Sequence, residues 1–343
     1  MKSSWHVHLL LGAVAAVFGA SSGMAESPEP QSAEHRVAGG IERAKRATVG
    51  ILQPEGPDAR GLAGQGRFSV RGTGFHVRDG YIVTARHAVE QEEGGKSTIP
   101  KEIRVLTTDL EEFPAALTGV NAFLDIAVYR ISLDGASARM AAAAFAQQEP
   151  EPGDEVFTVG YPLGWGPAVG FGRLGNPDTF LPTVDSRLFQ LDLSACSGNS
   201  GGGLFNAGGE VVGVMHAIVQ TETIQGERRC SRFGFAVPGR LVQRITDALI
   251  RGEHPRFSRL GVQLRVEKRG TRWVVAVAEA SGPALEGGIQ KGDILLAIEN
   301  IAITDAAQLK NYLIERTEPG QRVMVRVLRG DKEQTLIVTL GGA

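Results

Sequence analysis

Cysteine is scarce in this chain: 343 residues carry two, Cys196 and Cys230. No cluster of cysteine and histidine has metal-ligand spacing, so no metal site is expected. No glycine-rich phosphate loop precedes a helix, so no nucleotide or other cofactor is expected. Neither sign of charge is in excess. The formal net charge is −2, which gives no footing for nucleic acid or an anionic membrane surface. Phe, Trp and Tyr together make up 6% of the residues. The apolar run from Leu9 to Ala20 is too short to span a bilayer comfortably. What is plentiful is glycine, at 45 residues, within 42% hydrophobic and 22% charged content. Those are values of a soluble globular protein, and many short strands and turns fit them better than long helices. The length suggests two or three domains.

One glycine-rich stretch carries chemistry: Ser194-Ala195-Cys196-Ser197-Gly198-Asn199-Ser200-Gly201-Gly202-Gly203. Glycine permits backbone geometries closed to other residues, so Ser200 can expose its hydroxyl there. The same loop can aim the N–H groups of Gly198 and Ser200 at one point, an oxyanion hole beside a nucleophile. Taken alone, the stretch reads equally well as an ordinary glycine-rich hairpin turn. Upstream, His87 directly follows the apolar strand Tyr81-Ile82-Val83-Thr84-Ala85. Asp125 opens the alternating strand Ile126 to Ile131, which half-buries its carboxylate. The chain order is therefore His, Asp, Ser, one of three known orders for this constellation.

Elimination narrows the choice among seven histidines. His6 and His8 fall in an apolar leader, His35 in a polar tail, and His76 on a strand surface. His216 and His254 follow the serine. Asp109, Asp134, Asp154, Asp178 and Asp185 lie in loop-like contexts, and Asp192 is expected to brace the nucleophile loop. Gly198 to Gly202 also fits the nucleophile elbow of α/β-hydrolases, which needs a helix after the serine. Leu204 to Val214 instead reads as two strands around a glycine-rich turn, so the elbow is rejected.

Residues 1–25 read as a signal peptide cleaved after Ala25, with Lys2 before the apolar run and small residues at the cleavage positions. Residues 26–40 are polar and proline-containing, a flexible lead-in. From 41 to 251 short strands dominate, closing with a helix over Leu241 to Leu249. Residues 252–258 read as a linker. The last unit, 259–343, carries strands Leu260–Leu264, Trp273–Val277 and Gly292–Ile298. It also has a short helix near Pro283, a helix over Ala306 to Glu315, and a hairpin turning at Arg329-Gly330-Asp331-Lys332.

In these contexts His87, Asp125 and Ser200 resemble the catalytic triad of a trypsin-like serine protease. Gly72-Thr73-Gly74-Phe75, Asp125-Ile126-Ala127-Val128 and Phe233-Gly234-Phe235-Ala236-Val237-Pro238 are similar to the HtrA/Deg family specifically. The last unit resembles a PDZ domain through Arg259-Leu260-Gly261-Val262 and Gly292-Asp293-Ile294-Leu295. The resemblance implies a mainly β fold, a two-β-barrel trypsin-like protease domain followed by a PDZ domain. It implies ATP-independent cleavage of unfolded or mislocalised envelope proteins, in the periplasm or another exported compartment, often as a homotrimer. It places Ser194, Ala195, Cys196, Phe233 and Phe235 around the primary specificity pocket. None is charged, so small or aliphatic residues are expected before the scissile bond. Arg228, Arg229 and Arg232 nearby read as a solvated loop. At the PDZ unit it implies capture of C-terminal peptides, with Leu260, Gly261 and Val262 at the carboxylate and Leu309 and Leu313 lining the side-chain pocket. Cysteines placed like Cys196 and Cys230 form a disulfide in trypsin-like enzymes. His216 is placed near Asp125 by the resemblance, while the residues alone read equally as a plain strand histidine. The chain departs from the family at Arg86-His87-Ala88, where Asn-His-Val is usual, and at Gly203, where proline is usual. The rival class is a PDZ-bearing binding or holdase protein with little turnover. A broken triad would mark it, and the triad residues are intact.

Overall fold

Short β-strands close into two barrels in the computed structural model, which describes residues 33–54, 69–134, 140–179, 181, 186–218 and 230–342. The expected signal peptide lies outside the described residues. The first barrel contains β1 (Thr48–Leu52), β2 (Val70–His76), β3 (Tyr81–Ala85), β6 (Glu102–Thr107), β7 (Glu112–Asn121) and β8 (Ile126–Arg130). A short hairpin, β4 (Gln91–Glu93) and β5 (Lys96–Thr98), follows a one-turn helix α2 (Arg86–Val89). The second barrel contains β9 (Glu155–Gly160), β10 (Ala168–Thr179), β11 (Leu188–Cys196), β12 (Gly203–Phe205), β13 (Val211–Ile218) and β14 (Cys230–Pro238).

The two-residue period of a strand explains where the cores sit. On β11, Phe189, Leu191, Leu193 and Ala195 point into the second barrel. On β8, Ala127 and Tyr129 fill the first barrel, while Ile126 and Val128 join a separate cluster that also takes Val159, Phe205, Phe235 and Val237. Both faces of β8 are thus covered. That corrects the expected half-buried alternation, because the seam between barrels supplies a second apolar partner.

Helix α1 (Ala33–Ala47) takes over residues 33–40, about half of the expected flexible lead-in. Its apolar positions are mostly alanine, which disguised them. Ala44 and Ala47 are fully buried, and Arg43 donates to the Gly208 carbonyl at 2.6 Å. Helix α3 (Gly239–Ile250) covers the seam with Leu241, Val242, Ile245 and Leu249, as its spacing predicts.

The C-terminal unit has β15 (Ser258–Arg259), β16 (Val262–Arg269), β17 (Arg272–Ala280), α4 (Pro283–Glu286), β18 (Ile294–Ile298) and β19 (Ile301–Ala302). It continues with α5 (Ala306–Arg316), β20 (Arg322–Arg329), β21 (Lys332–Thr339) and β22 (Gly341–Gly342). Its main sheet runs β16-β17-β18-β20-β21. The hairpin turns where expected, with Arg329 opposite Lys332. Helix α5 is closed at its start by a capping box of Asp305 and Gln308. The expected linker is tied down at its end. Phe257 is buried and stacks on Phe123 at 4.4 Å, and Ser258 already pairs in β15 with Gly342.

Candidate active site

Helix α2 begins as soon as β3 ends, and His87 is its second residue. The ring is therefore held at a barrel rim rather than on a strand. Asp125 sits just before β8 with φ +57, a left-handed conformation that aspartate tolerates better than most residues. The preceding turn is fastened by Asn121, whose side-chain oxygen accepts from Leu124 N at 2.9 Å. The Asp125 carbonyl accepts from Arg86 N at 2.7 Å. Its carboxylate then meets α2 squarely: Oδ1 accepts from His87 N at 3.0 Å, and Oδ2 lies 2.5 Å from His87 Nδ1.

His216 on β13 brings a second imidazole, with Nδ1 3.0 Å from the same Oδ2. This settles the open reading of His216: it is a partner of Asp125. Burial pushes the Asp125 pKa up, but hydrogen bonds from His216 and His87, with their charge, hold it well below the usual carboxylate range. An ionised carboxylate only accepts, so both Nδ1 atoms carry protons. In the neutral ring His87 Nε2 is then the acceptor, and His87 lines a cavity of about 490 Å³ that Ser200 and Gly198 also line.

The serine loop is anchored from several sides. Gly198 has φ +104, and a Cβ there would collide with the Tyr161 carbonyl oxygen. Thr73 on β2 joins the barrels: its N–H donates to the Ser200 carbonyl at 2.9 Å, and its hydroxyl donates to the Gly198 carbonyl at 2.6 Å. Asn199 closes the loop on itself, its side-chain oxygen accepting from Cys196 N at 3.2 Å and its N–H donating to the Cys196 carbonyl at 3.0 Å. Gly201 N donates to the Met215 carbonyl at 2.7 Å, tying the loop to β13. Thr73 and Asn199 stand inside motifs legible in the sequence, but their anchoring roles need the three-dimensional seam to be seen.

Of the five residues expected at the specificity pocket, Ala195 and Cys196 line this cavity, together with Met215. Ser194, Phe233 and Phe235 do not. Ser194 is exposed on the other side of β11, Phe235 is buried in the seam between barrels, and Phe233 is 48% exposed two residues away. Asp192 does not brace the serine loop either; it is exposed and pairs with Arg232 at 2.9 Å across β11 and β14. Arg228, Arg229 and Asp185 lie outside the described residues. The Cys196 and Cys230 sulfurs are 1.95 Å apart, at bonding distance. His76 also departs from expectation. It is 3% exposed, with Nδ1 3.0 Å from the Ala141 carbonyl and Nε2 accepting from Gly80 N.

The five residues expected at the peptide groove, Leu260, Gly261, Val262, Leu309 and Leu313, line one apolar cavity of about 450 Å³. Phe123, two residues before Asp125, lines it as well.

Comparison with known proteins agrees with this architecture. A trypsin-like peptidase domain model matches residues 72–214, and a PDZ domain model matches residues 258–340. The chain is 30% identical over 277 residues to serine endoprotease DegS of Escherichia coli (strain K12), covering 76% of this chain and 73% of that one. It is 31% identical over 291 residues to a probable periplasmic DegP-like serine endoprotease of Chlamydia trachomatis, covering 80% of this chain and 55% of the relative. The chain thus spans about half the length of the DegP-like relatives it matches. Among solved structures, the HtrA-type protease AlgW with tripeptide superposes with a TM-score of 0.68 at 25% identity, covering 90% of this chain and 97% of that one. The serine endoprotease from Yersinia pestis shares the fold, with a TM-score of 0.60 at 24% identity over 92% of this chain and 99% of that one. Two barrels, a serine loop facing a His–Asp pair, a following PDZ fold and these relatives lead to one assignment: the chain belongs to the HtrA/Deg family of trypsin-like serine endoproteases.

Proposed function

We propose that the protein is an exported, ATP-independent serine endopeptidase that cleaves unfolded or mislocalised envelope proteins through an acyl-enzyme. Ser200 Oγ attacks the scissile carbonyl, and His87 Nε2 takes the hydroxyl proton. Asp125 holds the imidazole in the tautomer that can accept and stabilises the imidazolium that forms. The N–H groups of Gly198 and Ser200 receive the oxyanion. His87 then gives the proton to the leaving amine, and water repeats the sequence to free the acyl group. The observation that carries this reading is the 2.5 Å contact between His87 Nδ1 and Asp125 Oδ2 at the wall of the cavity that Ser200 lines. The acyl-side wall of Ala195, Cys196 and Met215 is uncharged and suits small aliphatic residues. The groove at Leu260 to Val262 suits an apolar chain end with a free carboxylate, bound as an added strand. Periplasmic residence follows the names of the relatives. Trimeric assembly is carried over from the family resemblance.

The test is cleavage of an unfolded protein such as casein by the mature protein. Ser200→Ala and His87→Ala should abolish turnover while leaving the fold intact. Asp125→Asn should cost about ten-thousandfold, by the trypsin-like template. Mapped cuts should follow Val, Ala or Ile. Equal turnover by wild type and Ser200→Ala would overturn the assignment, and a dominant preference for Lys or Arg before the bond would overturn the uncharged-pocket reading.

A further inference from the structure

Among the described residues, one Lys or Arg lines the catalytic cavity, and the triad does not use it. Arg71, the second residue of β2, is half-buried at the cavity wall. No Asp or Glu stands among the described residues lining that cavity. Resting on the protease reading above, we propose that Arg71 is a carboxylate-binding subsite on the leaving-group side of the scissile bond.

The position follows from the chemistry. His87 must hand its proton to the leaving amine, so the departing half of the substrate passes on the His87 side. The acyl side chain faces the opposite wall at Ala195, Cys196 and Met215. Arg71 is built into the His87 side. Its neighbour Gly72 packs so closely on Ala88, the residue after His87, that a Cβ at Gly72 would lie 2.6 Å from the Ala88 Cβ. The next residue, Thr73, is hydrogen-bonded to the carbonyl of Ser200. The guanidinium is therefore carried on a strand fixed to both the base and the nucleophile.

Its donors are also available. Arg71 Nη2 donates to the main-chain carbonyl of Glu90 at the end of α2. The Glu90 carboxylate is engaged elsewhere, by Arg86 at 2.9 Å and by the Ser97 hydroxyl. Among the described residues Arg71 makes no ion pair. A guanidinium has five N–H donors, and one committed to a carbonyl leaves a fork that matches a carboxylate. Burial of Arg71 disfavours its charge, and the negative field of Glu90 opposes this only in part. An anionic substrate group would supply what the site lacks. That group is either an Asp or Glu side chain one or two residues after the scissile bond, or the free C-terminal carboxylate of a chain ending there.

The experiment uses internally quenched peptides of one sequence, cleaved by wild type, Arg71→Gln and Arg71→Glu. One arm compares Asp with Asn and Lys after the scissile bond in a long peptide. A second compares a free acid with an amide on a peptide ending at that position. Wild type should prefer the carboxylate by roughly tenfold or more in kcat/KM in at least one arm, and that arm names its source. Arg71→Gln should erase the preference, and Arg71→Glu should turn it toward Lys. Wild type indifferent in both arms, or Arg71→Gln keeping the preference, overturns the subsite while leaving the protease reading intact. If no peptide is cut, the protease reading fails, and fluorescence anisotropy of the same peptides on the Ser200→Ala protein decides the subsite alone. Tighter binding of the carboxylate peptides, lost in Ser200→Ala/Arg71→Gln, supports it. Equal binding rejects it.

Discussion

Asp125 and His76 both use every polar atom of their rings or carboxylates, and protonation affects them in related ways. Asp125 accepts from His87 N, His87 Nδ1 and His216 Nδ1. Its depressed pKa contributes stability that is present above the unfolded carboxylate range and is lost only in strong acid. The His76 Nδ1–H faces the Ala141 carbonyl and its Nε2 accepts from Gly80 N, so only the neutral ring fits. Burial lowers its pKa below the 6.5 of a free histidine, against the opposing pull of the Ala141 carbonyl and Asp79. As pH falls through the unfolded value, the unfolded chain gains a proton that the folded chain refuses. Stability from His76 is therefore present above about pH 6.5 and declines below it, by at most about 1.4 kcal/mol per pH unit, until the folded pKa is reached. Urea midpoints measured from pH 8 to pH 5 should fall in wild type, with a shallower fall in His76→Gln. Parallel curves for the two proteins would remove His76 from the account.

Among elements, the pair β11 and β14 shows what a disulfide can do for a wall of the cavity. Cys196 lies opposite Cys230 in the antiparallel register, and Cys196 itself lines the cavity beside Ser197 and Gly198. The bond closes a loop of sequence separation 34, worth about 3–4 kcal/mol in the chain-entropy model. Cys196→Ser with Cys230→Ser should lower the melting temperature and, by loosening the strand that ends at the serine loop, lower kcat/KM with it. Calorimetry and peptide kinetics on the double variant check both, and an unchanged melting temperature would show that the bond adds no stability. Much of this architecture was legible beforehand. A glycine-rich turn separates the strands that become β12 and β13, and Leu241 to Leu249 repeats at helical spacing. What escaped the sequence shares one cause: the second barrel is invisible from the first. β8 looked one-sided because its other apolar face meets the seam. Phe235 looked like pocket wall because nothing in the sequence says that its side of β14 meets Phe205 and Val159. Helix α1 was hidden by alanines that suffice only because Gly208 and its turn come within reach.

At the scale of the whole molecule, protease and PDZ folds meet at a joint built on one buried cation. Arg187 precedes β11 with a side chain 8% exposed. It pairs with Glu149 at 2.7 Å on the protease side and with Glu315 of α5 at 2.5 Å. Burial alone would favour losing the charge, but Glu315 and Glu149 more than reverse it and keep the guanidinium ionised. Two further bonds lock the same helix: Arg187 N donates to the Asn311 side chain at 3.1 Å, and Arg244 on α3 donates to the Ile314 carbonyl at 2.8 Å. Helix α5 also offers Leu309 and Leu313 to the peptide groove, whose wall includes Phe123 of the protease fold. A ligand in the groove proposed above should therefore touch both folds, and the joint should make them unfold as one. Removing one member of a buried ion pair strands its partners at a cost of about 3–5 kcal/mol, less here because both glutamates keep some solvent contact. Arg187→Gln should split a single calorimetric transition into two. A peptide ending in an apolar residue with a free carboxylate should raise the wild-type transition as a whole by mass action, but in Arg187→Gln only the PDZ transition. Two independent transitions already present in wild type, with peptide shifting one of them, would show that the Arg187 joint does not couple the folds.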